Sequence, residues 1–207
     1  MTQSVLYYIH DPMCSWCWAY RPEWLKLKAA LADKVRVEVI LGGLAPDTDQ
    51  PMPVEMSLAI EGHWRKIQSM LGTRFNFDFW SQCQARRDTY KASRAVVVAA
   101  GHDLEDEMIH AIQRAYYLRA MNPSEPETLV QLADEIGMDE KTFRAALISE
   151  DTDKEFKRQV LLARSLGVRS FPSLVLKINN HISPVSLDYK DQSVSLKQIN
   201  SLVAGKT

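Results

Sequence analysis

The sequence predicts an α/β fold: a β-α-β unit at the amino end, a β-β-α unit at the carboxyl end, and a long all-helical block between them. Three observations predict it. Segments 4–9 (SVLYYI) and 35–41 (VRVEVIL) are short runs of β-branched and aromatic residues, the composition of strands. Between 53 and 166, apolar residues recur at spacings of three and four, the period of a helix face. Strand-like composition returns at 173–187, just after a proline.

Taken in order, Ser4 to Ile9 reads as a buried strand. After Pro12 the period becomes helical, and Cys17, Tyr20, Trp24, Leu27 and Leu31 fall on one face. Pro22 lies inside this helix, where its ring meets the carbonyl of Trp18 and predicts a kink. Val35 to Leu41 alternates and reads as a second strand. Strand, helix and strand within about forty residues make a βαβ unit with parallel strands.

From Gly42 the stretch GGLAPDTDQPMP reads as a loop. Pro53 stands near a helix start, followed by the stripe Met56, Ile60, Trp64, Ile67 and Leu71. RFNFDFWSQC (74–83) is aromatic and irregular. Tyr90 to Ala100 reads as a buried helix, and Leu104 to Met121 as another. Ser124 with Glu127 reads as a capping box for a helix closed by Gly137. A short helix covers 140–148, and Thr152 with Glu155 opens one ending near Gly167. Ser173 to Ile178 is a strand, Asn179-Asn180 a tight turn, His181 to Leu187 the returning strand, and Val194 to Val203 a closing helix. Residues 1–52 and 167–207 are expected to form one domain, with 53–166 inserted as a helical one.

Composition narrows the function. The chain has 207 residues, 46% of them hydrophobic, enough for a sizeable core. With 25 basic and 26 acidic side chains the net charge is −1, which gives no electrostatic footprint for nucleic acid or an acidic membrane. No apolar run approaches the roughly 18 residues of a membrane span. No Lys or Arg precedes Arg21, so no secretory leader shows and a cytoplasmic location is expected. Nothing in the sequence signals an oligomeric state.

The three cysteines, Cys14, Cys17 and Cys83, are too few for a disulfide scaffold. A bridge inside Cys-x-x-Cys closes a very short loop and stabilises little, so the pair at 14 and 17 calls for a chemical reason. The stretch DPMCSWCWAY (11–20) lies where the first strand ends and the first helix begins. Helix amino ends carry unpaired N–H groups and roughly half a positive charge, which stabilises a thiolate and lowers its pKa below about 8.5. Cys14 is expected exposed at the tip, as the attacking thiolate. Cys17, one turn inward on the core-facing stripe, is expected shielded, as the thiol that resolves a mixed disulfide.

Blander readings stand beside these. The pair could be a zinc half-site or two idle cysteines, but zinc takes four ligands and Cys83 with scattered histidines does not complete a set, so no metal is expected. Trp18 is assigned to the core. Trp16 is assigned either to core packing or to a surface that touches substrate. Met13 and Met52 are groove-lining candidates among methionines that are mostly core. His10 reads as a hydrogen-bonded residue at a strand end, Cys83 as a lone buried or partly buried thiol, and Arg86 and Arg87 as a solvated or ion-paired surface.

Three stretches carry a resemblance: Asp11-Pro12-Met13-Cys14-Ser15-Trp16-Cys17-Trp18; Gly167-Val168-Arg169-Ser170-Phe171-Pro172-Ser173; and Arg86-Arg87-Asp88-Thr89-Tyr90 followed by Arg94-Ala95-Val96. With the order βαβ…ββα they resemble the DsbA-like thioredoxin-fold family, in its cytosolic FrnE-like branch of predicted protein-disulfide isomerases, over essentially the whole chain. The resemblance implies a thioredoxin-like fold with a helical insertion and a thiol–disulfide oxidoreductase or isomerase. It implies Cys14 as nucleophile, Cys17 as resolving cysteine, and Pro172 in cis beside them. Phe171 offers its main chain to an extended substrate, and Met13, Ser15 and Trp16 join it as substrate contacts. No bound cofactor is implied. The partners are protein or small-molecule thiols and disulfides, glutathione among them.

This chain departs from the family at Ser170, where glycine is frequent, and in its intervening dipeptide Ser15-Trp16. That dipeptide tunes the potential, so reductant, oxidant and isomerase stay open. Two alternatives stand: a kappa-type glutathione transferase or isomerase, which generally has serine where this chain has Cys14, and a partner-binding module whose dithiol is incidental.

Overall fold

The computed structural model describes residues 4–32 and 34–205. Residues 1–3 and 206–207, at the outer edges of the expected terminal segments, and Asp33 lie outside the described residues. β1 (Ser4–His10) leads through α1 (Ser15–Leu31) to β2 (Arg36–Leu41). The helical block comprises α2 (Val54–Leu71), α3 (Phe79–Gln82), α4 (Tyr90–Ala100), α5 (Glu105–Leu118), α6 (Pro126–Glu135), α7 (Glu140–Leu147) and α8 (Glu150–Ser165). The chain returns through β3 (Ser173–Ile178) and β4 (His181–Val185) to α9 (Ser193–Ala204). This is the α/β order expected, thioredoxin-like with a helical insertion.

The strands form one mixed sheet in the order β2-β1-β3-β4. β1 runs parallel to β2, with Val5 opposite Arg36 and His10 opposite Leu41. It runs antiparallel to β3, with Ser4 opposite Ile178 and Ile9 opposite Ser173. β4 pairs back on β3 through a turn in which Asn179 has φ 53°, a conformation asparagine tolerates. Both faces of β1 are covered, which is why it reads as an unbroken apolar run. Leu6 and Tyr8 pack against Tyr20, Trp24 and Leu27 of α1 and Ile199 of α9. On the other face Val5, Tyr7 and Ile9 meet Val175 and Ala163 of α8. Fully burying each such aliphatic side chain contributes about 1.5–3 kcal/mol.

The helical block has its own core around Trp64, which is fully buried. Rings of Phe75, Phe77, Phe79, Trp80, Tyr116 and Tyr117 surround it, with centroids at 4.9–6.2 Å. The aromatic run at 74–83 therefore folds as a mostly irregular wrap over α2 and α5. The same core takes in Met13 and Leu41, so the block packs on the end of the sheet where the dithiol turn lies.

Several local readings are corrected. Ser124 does not cap α6: the helix starts at Pro126 after Glu125, and the Ser124 hydroxyl donates to the Asp88 carbonyl. Proline favours the first helical position, and it sets the boundary here. α8 begins earlier than Thr152, because Ser149 accepts the Thr152 N–H at 3.2 Å and is the cap. Pro22 lies inside α1 as expected, and the helix continues past it to Leu31.

His10 also differs from expectation. It is 1% exposed, and neither ring nitrogen has a hydrogen-bond partner among the described residues. Its ring stacks on Tyr8 at 5.2 Å between centroids. The ring is held by stacking and burial rather than by a hydrogen bond. Burial lowers its pKa from 6.5 to about 3, and the nearby charge of Arg21 acts in the same direction.

A depressed pKa in the folded state means that stability is intact above pH 6.5 and falls as the pH drops toward about 3. In that window the unfolded chain takes up a proton that the folded chain refuses, a loss of up to about 1.4 kcal/mol per pH unit from this group. Replacing the ring by one that stacks but does not titrate, His10→Phe, should flatten the acid limb of stability between pH 6.5 and 4. Urea unfolding at three pH values checks this; parallel slopes for wild type and variant would refute it.

Candidate active site

The turn that carries the first cysteine is held by a buried carboxylate. Asp11, 0% exposed, accepts the Met13 N–H at 2.9 Å, the Leu44 N–H at 2.9 Å and the Thr89 hydroxyl at 2.7 Å. These donors come from the turn itself, the loop after β2 and the start of α4. The Cys14 N–H donates to the Asp11 carbonyl at 3.1 Å, and the Tyr117 hydroxyl of α5 donates to the Met13 carbonyl at 2.7 Å. Burial pushes the Asp11 pKa up, while its three donors pull it back.

Cys14 is the N-cap of α1 (φ −83°, ψ 119°). It is 8% exposed, not open as expected. The segment before Pro172 closes over it, and its Sγ lies 3.5 Å from the Phe171 carbonyl oxygen. No backbone N–H completes a full hydrogen bond to the sulfur, yet those of Cys17 and Trp16 are placed to favour its charged form. The Cys17 thiol is the largest influence, holding the Cys14 pKa below the ordinary thiol value against the opposing effect of burial. Cys17 is 0% exposed, and its pKa moves well up, first by burial and then because its proton is shared with Cys14.

The Phe171–Pro172 peptide bond is cis. Phe171 reaches this position because residue 42 is glycine: a Cβ there would stand 1.9 Å from Cε1 of the Phe171 ring. Gly43, at φ 69°, would place a Cβ 2.8 Å from Val160. The loop that the sequence marks only as irregular is thus a pair of close approaches.

Above the sulfur opens a cleft of about 340 Å³, lined by Met13, Cys14, Ser15, Trp16 and Phe171 among others. Met52 joins them. Cys17 lies beneath, and Pro172 borders a separate depression beside β4. Trp16 is half-buried and meets Tyr189 edge-on at 5.2 Å. Trp18 packs inward, stacked on Tyr117 at 5.7 Å, with its indole N–H donating to the Arg74 carbonyl. Cys83 is partly buried, and its thiol donates to the Ala120 carbonyl at 3.0 Å.

Sequence reasoning did not single out Asp11 or Thr89; the signal available was an acid in an otherwise apolar stretch between strand and cysteine. Arg86 is ion-paired, with Glu125, but it and Arg87 also line the cleft. Among the described residues no cluster of three or more His, Cys, Asp or Glu side chains is placed to hold a metal ion.

Comparison with known proteins agrees with this fold. A crystal structure of a candidate protein disulfide isomerase from Nitrosomonas europaea has a TM-score of 0.86 and 25% identity, covering 99% of this chain and 100% of that one. The cytosolic disulfide reductase DsbM from Pseudomonas aeruginosa has a TM-score of 0.75 and 25% identity over 97% and 99% of the two chains, and it is also known with GSH. The ClpXP adapter protein SpxH from Halalkalibacterium halodurans is 22% identical over 181 residues, 84% of this chain; the match spans 59% of that longer relative. The family model described as Thioredoxin matches residues 7–193, and the chain belongs to that thioredoxin family, with the fold of the DsbA-like oxidoreductases.

Proposed function

We propose that this protein is a thiol–disulfide oxidoreductase in which Cys14 attacks and Cys17 resolves. The observation that carries the proposal is the placement of the Cys14 sulfur: at the amino end of α1, at the wall of the cleft and 3.5 Å from the Phe171 carbonyl. Thiolate at Cys14 attacks one sulfur of a substrate disulfide. A new S–S bond forms as the old one breaks, and the second substrate sulfur departs as a thiolate that takes a proton from solvent. Cys17 then loses its proton and attacks the Cys14 sulfur. The first substrate thiolate leaves, and a Cys14–Cys17 disulfide remains, so two electrons have passed from the dithiol to the substrate. Run backwards, the same steps oxidise a substrate dithiol. No bound cofactor is needed, because the electrons move between sulfurs.

In this reading Phe171 offers its main chain to the substrate beside Pro172, while Met13, Ser15 and Trp16 form the contacting rim. The terminal segments 1–52 and 167–207 carry the dithiol, and the block 53–166 supplies the opposing wall. A cytosolic setting and glutathione as a redox partner are supported by DsbM, a cytosolic reductase known with GSH. The SpxH relatives favour a second reading, in which the chain docks a protein partner; partner capture that survives loss of both cysteines would select it.

Exchange with a model disulfide should fall at least about a hundredfold in Cys14→Ser, which removes the nucleophile. Cys17→Ser should accumulate a mixed disulfide on Cys14, visible by intact mass. Undiminished exchange in Cys14→Ser would remove the proposal.

Gly42→Ala tests the positioning of Phe171. The added methyl must displace the ring, at about 1–3 kcal/mol for overpacking. The expected outcome is a lower Tm together with slower reaction at Cys14. A variant that matches wild type in both would show that the close approach does not matter.

A further inference from the structure

The cleft over Cys14 is more basic than the chain that forms it. The whole sequence balances 25 basic against 26 acidic residues, yet Arg86, Arg87 and Arg169 all line this cleft, and none of the described residues lining it is Asp or Glu. Arg86 is already matched by Glu125. Arg87 and Arg169 have no carboxylate within ion-pair distance among the described residues. The two come from distant parts of the chain: Arg87 lies between α3 and α4 inside the helical block, and Arg169 follows its last helix, α8, three residues before Pro172. Folding therefore brings two unmatched guanidinium groups to the rim around one sulfur.

We infer that the cleft selects small disulfides whose arms carry carboxylates, with Arg87 and Arg169 as the residues that determine this preference. It rests on the exchange reading for its chemistry and on the two arginines for its selectivity. A guanidinium binds a carboxylate through paired, charge-assisted hydrogen bonds, and two such groups flanking the nucleophile anchor a substrate at points away from its reacting sulfur. A volume of about 340 Å³ is at the small end of pockets that hold small molecules, which favours a compact disulfide over a folded partner inside the cleft. Carboxylate recognition also raises the local concentration of an anionic substrate, an effect that weakens with salt.

The test separates recognition from chemistry. S-methylglutathione keeps both carboxylates but has no thiol, so its binding does not depend on exchange. Titrated into the full chain and followed by calorimetry, it should bind at least about tenfold more tightly than its dimethyl ester at low ionic strength, with the gap shrinking in high salt. In Arg87→Gln/Arg169→Gln the ratio of the two affinities should approach one. That ratio is internal to each protein, and the salt dependence is read on wild type alone, so an unstable variant does not blunt the test. Equal binding of acid and ester to wild type, binding of neither, or a gap that persists in the double variant would overturn the inference. Cys14-dependent reduction of the uncharged hydroxyethyl disulfide, measured on wild type, reports on the exchange reading separately. Exchange without the affinity gap sinks the charge preference alone; the gap without exchange sinks the redox reading alone.

Discussion

The arrangement around the dithiol depends on one buried carboxylate. Asp11 sits between the end of β1 and the start of α1 with no exposure, and three donors from three segments converge on it. Leaving a charge-assisted acceptor of this kind without its donors in a dry interior costs several kcal/mol, so the donors' segments are constrained together. The loop after β2 is drawn in through Leu44 and α4 through Thr89, and the turn itself is closed through Met13. Cys14, three residues on, inherits a fixed position relative to all of them.

That position explains how the two thiols become unequal. Both sulfurs are buried, and burial alone would raise both pKa values. Cys14 escapes because the Cys17 thiol and nearby backbone N–H groups at the helix start favour its charged form. For Cys17 burial, the proton shared with Cys14 and the charge of Cys14 all push the pKa up, and they outweigh the one favourable contact, the Asp11 backbone N–H. The helix end is thus only part of the cause; the neighbouring thiol is the larger one. The Phe171 carbonyl adds a wall beside the sulfur, and Gly42 permits that wall to stand so close.

The helical block contributes in two ways. Its core takes in Met13 and Leu41, and Tyr117 donates to the Met13 carbonyl, so the block supports the active turn from below. It also builds the far side of the cleft through Ile60, His63 and Tyr116 and places the arginine pair 86–87 at the rim. A thioredoxin-like sheet with a bare dithiol would have no such wall. The insertion turns an exposed helix end into a pocket with a defined size and charge.

Local patterns were sufficient for the order of elements, the dithiol at the strand-to-helix junction and the core-facing place of Cys17, because hydrophobic period and turn residues are encoded within a few positions. The caps of α6 and α8 were misjudged for the opposite reason: there a proline and an earlier serine set the helix starts against the local signal. The near-closure of Cys14, the unpartnered ring of His10 and the convergence on Asp11 were not legible at all. The closure of Cys14 and the convergence on Asp11 depend on residues from 33 to 157 positions away meeting at one end of the sheet. The same holds for Arg87 and Arg169, which look like ordinary surface charges until folding sets them around a single sulfur. Sequence determined which groups could react; tertiary structure alone decided what surrounds them, since burial and charge at a site are sums over neighbours that the chain brings from far apart.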